Sequence, residues 1–184
     1  MAALLRPGVV LLADPALGDP NFRATMILLV GHTEEGSLGL VLNRRNRVRL
    51  HEVLEDPTAA LGWNPRLDWG GPVGTDRLHI LFDGAGAGVV ESLEVVPGLH
   101  FGGSLEQAAT ANSQGRKVRL FLGYSGWGEG QLESEVLEAS WRVIENGAEH
   151  AFAPSDRETW RQLLAEQDRK WSWLRGAEGR PEVN

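Results

Sequence analysis

The segment Gly123-Tyr124-Ser125-Gly126-Trp127-Gly128-Glu129-Gly130-Gln131-Leu132-Glu133 carries the richest mixture of reactive and binding side chains in the chain. Glycine lets a backbone approach a ligand closely, and the N–H groups that open a helix attract anions. Tyr124 and Trp127 offer rings that stack on a flat ligand, and Gln131 offers an amide that reads a polar edge. The competing reading is architectural, with glycines in tight turns and Trp127 in the core. By spacing, Gln131, Glu135 and Glu138 share one helical face. Carboxylates there could bind a cation or act as a base, or simply form a solvated acidic face.

Other candidates lie far away in the sequence. Asp19, Asn21 and Phe22 precede an apolar run, and His32 follows it. Histidine is the side chain suited to proton transfer around neutral pH, so His32 with Asp19 or Glu135 within hydrogen-bond reach would suit a hydrolase. Asp and Asn are equally ordinary turn residues. Asn43-Arg44-Arg45-Asn46-Arg47-Val48-Arg49 is the one dense basic stretch, read as a loop that could hold phosphate or nucleic acid. The net charge of −7 and the lack of a helix-turn-helix signature favour a plain surface loop. Gly70-Gly71-Pro72-Val73 reads as a tight crossing, with Asp76 as a polar neighbour.

Several superficial matches fail on spacing. Gly84, Gly86 and Gly88 lack the third glycine of a dinucleotide fingerprint, and Gly71–Thr75 lacks the lysine of a phosphate loop. His51-Glu52-Val53-Leu54-Glu55 ends in Glu where a zinc-protease helix needs a second His. The remaining histidines, His79, His100 and His150, have no ligand spacing, so neither a metal nor a cofactor is indicated. Gly123-Tyr124-Ser125-Gly126 misses the nucleophile-elbow spacing by one residue, leaving Ser125 as a turn serine.

The elements that must hold these residues are mixed. With 184 residues and 42% apolar content, the chain suits one core and one domain, spanning 1–175 with a polar tail at 176–184. No cysteine is present, which excludes disulfides, thiolate metal sites and thiol nucleophiles. The apolar stretch after Arg6 is interrupted by Pro7 and Gly8 and has no signal-peptide character, and no run approaches a membrane span, so a cytoplasmic protein is expected. Strands are expected at Gly8–Ala13, Thr25–Val30, Leu38–Leu42, Arg77–Phe82, Val89–Val96, Val118–Leu122 and Trp141–Asn146. The second and third should form a hairpin through Glu34-Glu35-Gly36. Helices are expected at Leu50–Leu54, Leu105–Asn112 behind the Ser104/Gln107 capping box, Leu132–Ala139, and after a Ser155/Glu158 box with a stripe of Trp160, Leu163, Leu164, Gln167 and Trp171. Gly84–Gly88 reads as a flexible loop. The irregular order favours α+β over a doubly wound parallel sheet.

Three blocks together resemble the YqgE/AlgH family. They are Leu12-Ala13-Asp14-Pro15 through Asp19-Pro20-Asn21-Phe22 to His32 and Gly36–Arg44; Gly70-Gly71-Pro72-Val73 with Asp76; and Gly123–Trp127 with Gly130-Gln131-Leu132-Glu133, Glu135 and Trp141. They occur in the family's order over roughly residues 8–165. Arg45 stands where the family usually has Pro, and Ser125 where it usually has Ala. The resemblance implies a compact α+β fold with bent, mixed or antiparallel sheets and a few flanking helices. It brings no assigned activity; one branch is labelled a transcriptional regulator of alginate production, without a recognisable DNA-binding element. The leading expectation is a binding or regulatory protein, not an enzyme, taking an unidentified small molecule or protein partner. Its cleft would join the Asp19–Phe22 loop, Asn43-Arg44, Gly70–Val73 and Tyr124–Glu135, so that Tyr124, Trp127 and Gln131 face Asn21, Asn43 and Gly71. A hydrolase using His32, and a nucleic-acid-binding regulator using Arg44–Arg49, are the alternatives. Oligomeric state stays open.

Overall fold

A computed structural model describes residues 5–56, 58, 62–84 and 91–178. The apolar run at Met26-Ile27-Leu28-Leu29-Val30 forms β2 (Met26–Thr33), and its alternate side chains enter two separate cores. Met26, Leu28 and Val30 join the cluster covered by Trp160 and Leu164. Ile27 and Leu29 join the one that holds Trp127, Leu132 and Trp141. A strand buried on both faces needs no polar alternation, which is why its sequence is uniformly apolar.

β2 sits between β1 (Val10–Ala13) and β3 (Gly36–Val41), both antiparallel to it. The Glu34-Glu35 turn closes the expected hairpin. β1 also pairs with β10 (Trp141–Ile144), and β3 pairs with β9 (Val118–Gly128). β9 then joins β6 (Val73–Asp83), which leads to β8 (Leu99–Gly102) and β7 (Ser92–Val96). β5 (Arg66–Trp69) runs parallel to β9 and pairs on its other side with β4 (Arg45–Arg49). The result is a curled, mainly antiparallel half-barrel with three helices, a compact single α+β domain.

Each helix closes one core. α1 (Leu105–Ser113) starts at the expected capping box, with Ser104 and Gln107 bonded reciprocally. It packs Ala108 against Ile80, Phe82, Leu120 and Leu122. α2 (Gln131–Leu137) buries Leu132 beside Trp127. α3 (Arg157–Glu178) buries Trp160 and Leu164, and the Trp160 indole donates to the Ala13 carbonyl at 2.9 Å.

Several boundaries differ from expectation for identifiable reasons. Asn43–Arg49 is a loop only at its start; Arg45–Arg49 is a strand with Val48 turned toward the third core and the arginines outward. The abundance of charge hid a period-two alternation. The Leu50–Leu54 helix is a 3-10 turn, Leu50–Glu52. β9 does not end at Leu122; it continues through the glycine-rich segment to Gly128. Ser125 is therefore a buried strand residue paired with Gly39, not a turn serine. The α3 cap is Asp156 with Thr159, one residue beyond the expected box, and Ser155 instead donates to the Leu42 carbonyl at 2.7 Å. α3 continues past Arg175 to Glu178, while 179–184 of the expected tail lie outside the described residues. Residues 85–90, holding most of the Gly84–Gly88 loop and the start of the expected Val89–Val96 strand, also lie outside them, as does the side chain of Trp171.

Candidate functional site

The expected cleft residues separate into a closed network, a histidine pair and a cationic hollow. The closed network lies under α2. Glu135 Oε2 accepts from the indoles of Trp127 at 2.9 Å and Trp141 at 2.7 Å, and its Oε1 accepts from the Gln131 amide at 2.8 Å. Gln131 Oε1 in turn accepts the Gly128 N–H at 3.1 Å. Phe22 completes the box, 6.2 Å from the Trp127 ring and 5.7 Å from the Trp141 ring. Trp127 and Trp141 are almost fully buried. The donors and acceptors of this group satisfy one another, so its geometry serves to pin α2 onto the sheet.

His32 makes no hydrogen bond or salt bridge with either of its expected partners among the described residues. Its Nδ1 lies 2.8 Å from Ser37 Oγ, its cross-strand neighbour, and its Nε2 lies 3.7 Å from Glu133 Oε1. Asp19 is turned into its own loop, where Oδ1 accepts the Asn21 N–H at 2.8 Å, and Glu135 belongs to the indole network.

Tyr124 takes no part in the indole network around Glu135. Tyr124 and Trp127 sit an odd number of positions apart on one strand, so their side chains point to opposite faces. Tyr124 packs edge-on against His79, whose ring also stacks on Phe101. Burial pushes the His79 pKa down, and nearby Arg77 adds to the shift. An open depression of about 560 Å³ is bordered by both Tyr124 and Trp127, together with His32, Ser37, Leu38 and Val73. Asp76 is exposed on β6. Gly70 and Gly71 have an architectural cause. Gly71 has φ +153°, and a Cβ there would lie 2.2 Å from the Tyr124 carbonyl carbon; Gly123 has φ +70°, and its Cβ would lie 2.5 Å from the Gly71 oxygen. The two glycines let the crossing and β9 interlock.

The hollow is built from the 19–24 loop, the Asn43-Arg44 turn and the start of α3. It encloses about 390 Å³ and is lined by Pro20, Arg23, Ala24, Asn43, Arg44 and Arg157. Asn43 fixes its floor, accepting the Met26 N–H at 2.9 Å and donating to the Ala24 carbonyl at 2.9 Å. Arg44 spans the loop, donating to the Arg23 carbonyl at 3.0 Å with its guanidinium 5.1 Å from the Trp69 ring. Burial lowers the Arg44 pKa, partly offset by Asp19. The three arginine side chains form no ion pair among the described residues. The nearby carboxylates are engaged in their own turns, Asp19 with Asn21 and Asp156 with Thr159. Arg23 and Arg157 were not foreseen: each is an isolated arginine in the sequence, and only folding brings them to Arg44.

Among the described residues, no group of three His, Asp or Glu side chains could hold a metal ion, and no helix is long and apolar enough to cross a membrane.

The fold and its motif-built loops define a compact α+β protein of the half-barrel type. The chain belongs to the AlgH-like family, whose model matches residues 10–172. It is 34% identical over 185 residues to the UPF0301 protein CT0663 of Chlorobaculum tepidum, covering 98% of this chain and 97% of that protein. It is 37% identical over 176 residues to the UPF0301 protein SCO2948 of Streptomyces coelicolor, covering 87% and 86%. Its structure is similar to the solution structure of AlgH from Pseudomonas aeruginosa, with TM-score 0.68, 30% identity and 97% and 95% coverage. The crystal structure of DIP2367 from Corynebacterium diphtheriae shares the fold, with TM-score 0.71 and 23% identity over 88% and 87% of the two chains.

Proposed function

We propose that this chain is a non-enzymatic binding protein for a small anionic molecule held in the hollow between the 19–24 loop, the Asn43-Arg44 turn and the first turn of α3. The reading is carried by one observation: Arg23, Arg44 and Arg157 line a cavity with no carboxylate among its walls, in a chain whose net charge is −7. Guanidinium groups that form no salt bridge with a carboxylate attract anions and steer their approach. The cavity lies within the roughly 300–1,000 Å³ range of small-molecule sites. Thermal-shift screening with anionic metabolites at fixed ionic strength tests it. Stabilisation that is lost in Arg157→Gln is expected; the absence of any stabilising anion would remove the proposal.

The Ser37–His32–Glu133 contacts favour a second reading, a hydrolase. In it Glu133 would hold the proton on Nε2, leaving Nδ1 as base toward Ser37 Oγ. Covalent labelling of Ser37 by a fluorophosphonate, dependent on His32, would support it. Labelling no greater than in Ser37→Ala would exclude it and leave a cross-strand hydrogen bond.

A further inference from the structure

We infer that the anion taken by this hollow is a phosphoryl dianion, presented as a small phosphomonoester or as free phosphate. The inference rests on the reading of the hollow as an anion site and adds the charge and shape of its occupant.

Charge counting comes first. A single carboxylate is matched by one guanidinium in a two-point contact. Here Arg23, Arg44 and Arg157 line one hollow from separate segments, and no carboxylate forms a salt bridge with them among the described residues, although the Asp19 charge acts on Arg44 from a greater distance. A monoanion leaves most of that charge uncompensated, whereas a dianion with three terminal oxygens can engage all three groups. Phosphate suits planar guanidinium forks, which bind its oxygens two at a time.

Geometry adds a second constraint. Arg157 is the first residue of α3, a 22-residue helix, so this wall of the hollow carries the positive end of the helix dipole. Arg44 is already braced, with its guanidinium donating to the carbonyls of Pro20 and Arg23 and resting over Trp69. A braced arginine loses little freedom when an anion arrives. Arg23 and Arg157 have exposed side chains and can close on the ligand. The non-polar part of a phosphomonoester meets Pro20 and Ala24, and a volume of about 390 Å³ favours a sugar-sized group.

No histidine lines the hollow, and hydrogen bonds from Thr159 and the neighbouring backbone hold the Asp156 pKa below the usual carboxylate value. A change of affinity between about pH 5 and pH 8 is expected from the ligand, whose second proton leaves near pH 6 in a phosphomonoester and somewhat higher in free phosphate.

Isothermal titration at constant ionic strength, with inorganic phosphate, a hexose 6-phosphate, acetate and citrate as probes, tests the inference. The hexose phosphate or phosphate should bind, should tighten from pH 5 to pH 8, and should weaken about tenfold in Arg23→Gln and in Arg157→Gln, equivalent to about 1.4 kcal/mol. Tighter binding of the hexose phosphate identifies an ester ligand, and equal binding identifies the phosphoryl group alone. Arg23 and Arg157 are exposed, so both variants should fold, and their unchanged urea midpoints would confirm it. Binding of acetate or citrate without phosphate, or affinity for the hexose phosphate that is flat with pH, would overturn the phosphoryl assignment and leave the anion site standing. Failure of all four probes, or phosphate binding untouched by both substitutions, would overturn the site as well.

Discussion

At the scale of single residues, the same side-chain types serve opposite ends depending on who satisfies them. Trp127, Gln131 and Glu135 have the chemistry of a binding site, yet their polar atoms bond to one another and to Trp141 and Gly128. Removing the carboxylate tests whether that network holds α2 in place. Glu135→Ala leaves two buried indole N–H groups without an acceptor and should cost about 2–3 kcal/mol in urea unfolding. A loss below about 0.5 kcal/mol, the range of a plain surface change, would show that the network is incidental. Sequence placed Gln131 and Glu135 on one helical face, and they do share it. It could not show that Trp127 and Trp141 would both reach the same carboxylate oxygen, because that depends on where two strands meet the helix. Arg44 is the contrasting case: its hydrogen-bond partners are backbone carbonyls, and the Asp19 carboxylate acts on its charge without forming a salt bridge.

At the scale of elements, glycine proved to mean close approach more than turning. The glycines after Leu122 look like the end of a strand, but β9 runs on to Gly128. Its glycines let the Gly70-Gly71 crossing pass against the backbone of Tyr124 and Ser125. Gly71→Ala should therefore destabilise the protein more than Gly130→Ala. Both positions have positive φ and share a backbone cost of about 1–3 kcal/mol, but only at Gly71 does a Cβ collide with backbone, since nothing lies within 4 Å of one at Gly130. Equal urea midpoints for the two variants would contradict the interlock. The hairpin of β2 and β3 and the α1 cap were legible beforehand, because a continuous apolar run and a reciprocal cap are local signals. β4 was not, since five residues with three outward arginines look like a loop until Val48 is seen to point inward. Those arginines occupy a strand paired on one side only, where charge also guards against edge-to-edge association.

At the scale of the whole molecule, the residues expected to share one cleft divide between the α2 network, the depression beside Tyr124 and the hollow at Arg44. Trp127 packs in the α2-side core and Tyr124 against the other, the two meet at the rim of the open depression, Gln131 is bonded to Glu135, and Asn43 lines the hollow. Asn43 and Arg44 meet Arg157 instead, from more than a hundred positions along the chain, with the Asn43 amide 3.3 Å from the Asp156 carbonyl. The α+β class followed from the irregular order of strands and helices, and the family blocks marked the loops that build the hollow. Its third wall was invisible because one arginine after a helix cap carries no motif. The most direct test of the hollow as the binding site is a ¹H–¹⁵N correlation spectrum recorded during titration with a hexose 6-phosphate. The expected result is shifts concentrated at the amides of Arg23, Ala24, Asn43, Arg44 and Arg157, with Trp127, Gln131 and the Trp141 indole unmoved. Shifts centred on Trp127, Gln131 and Trp141, or none at any concentration, would contradict it.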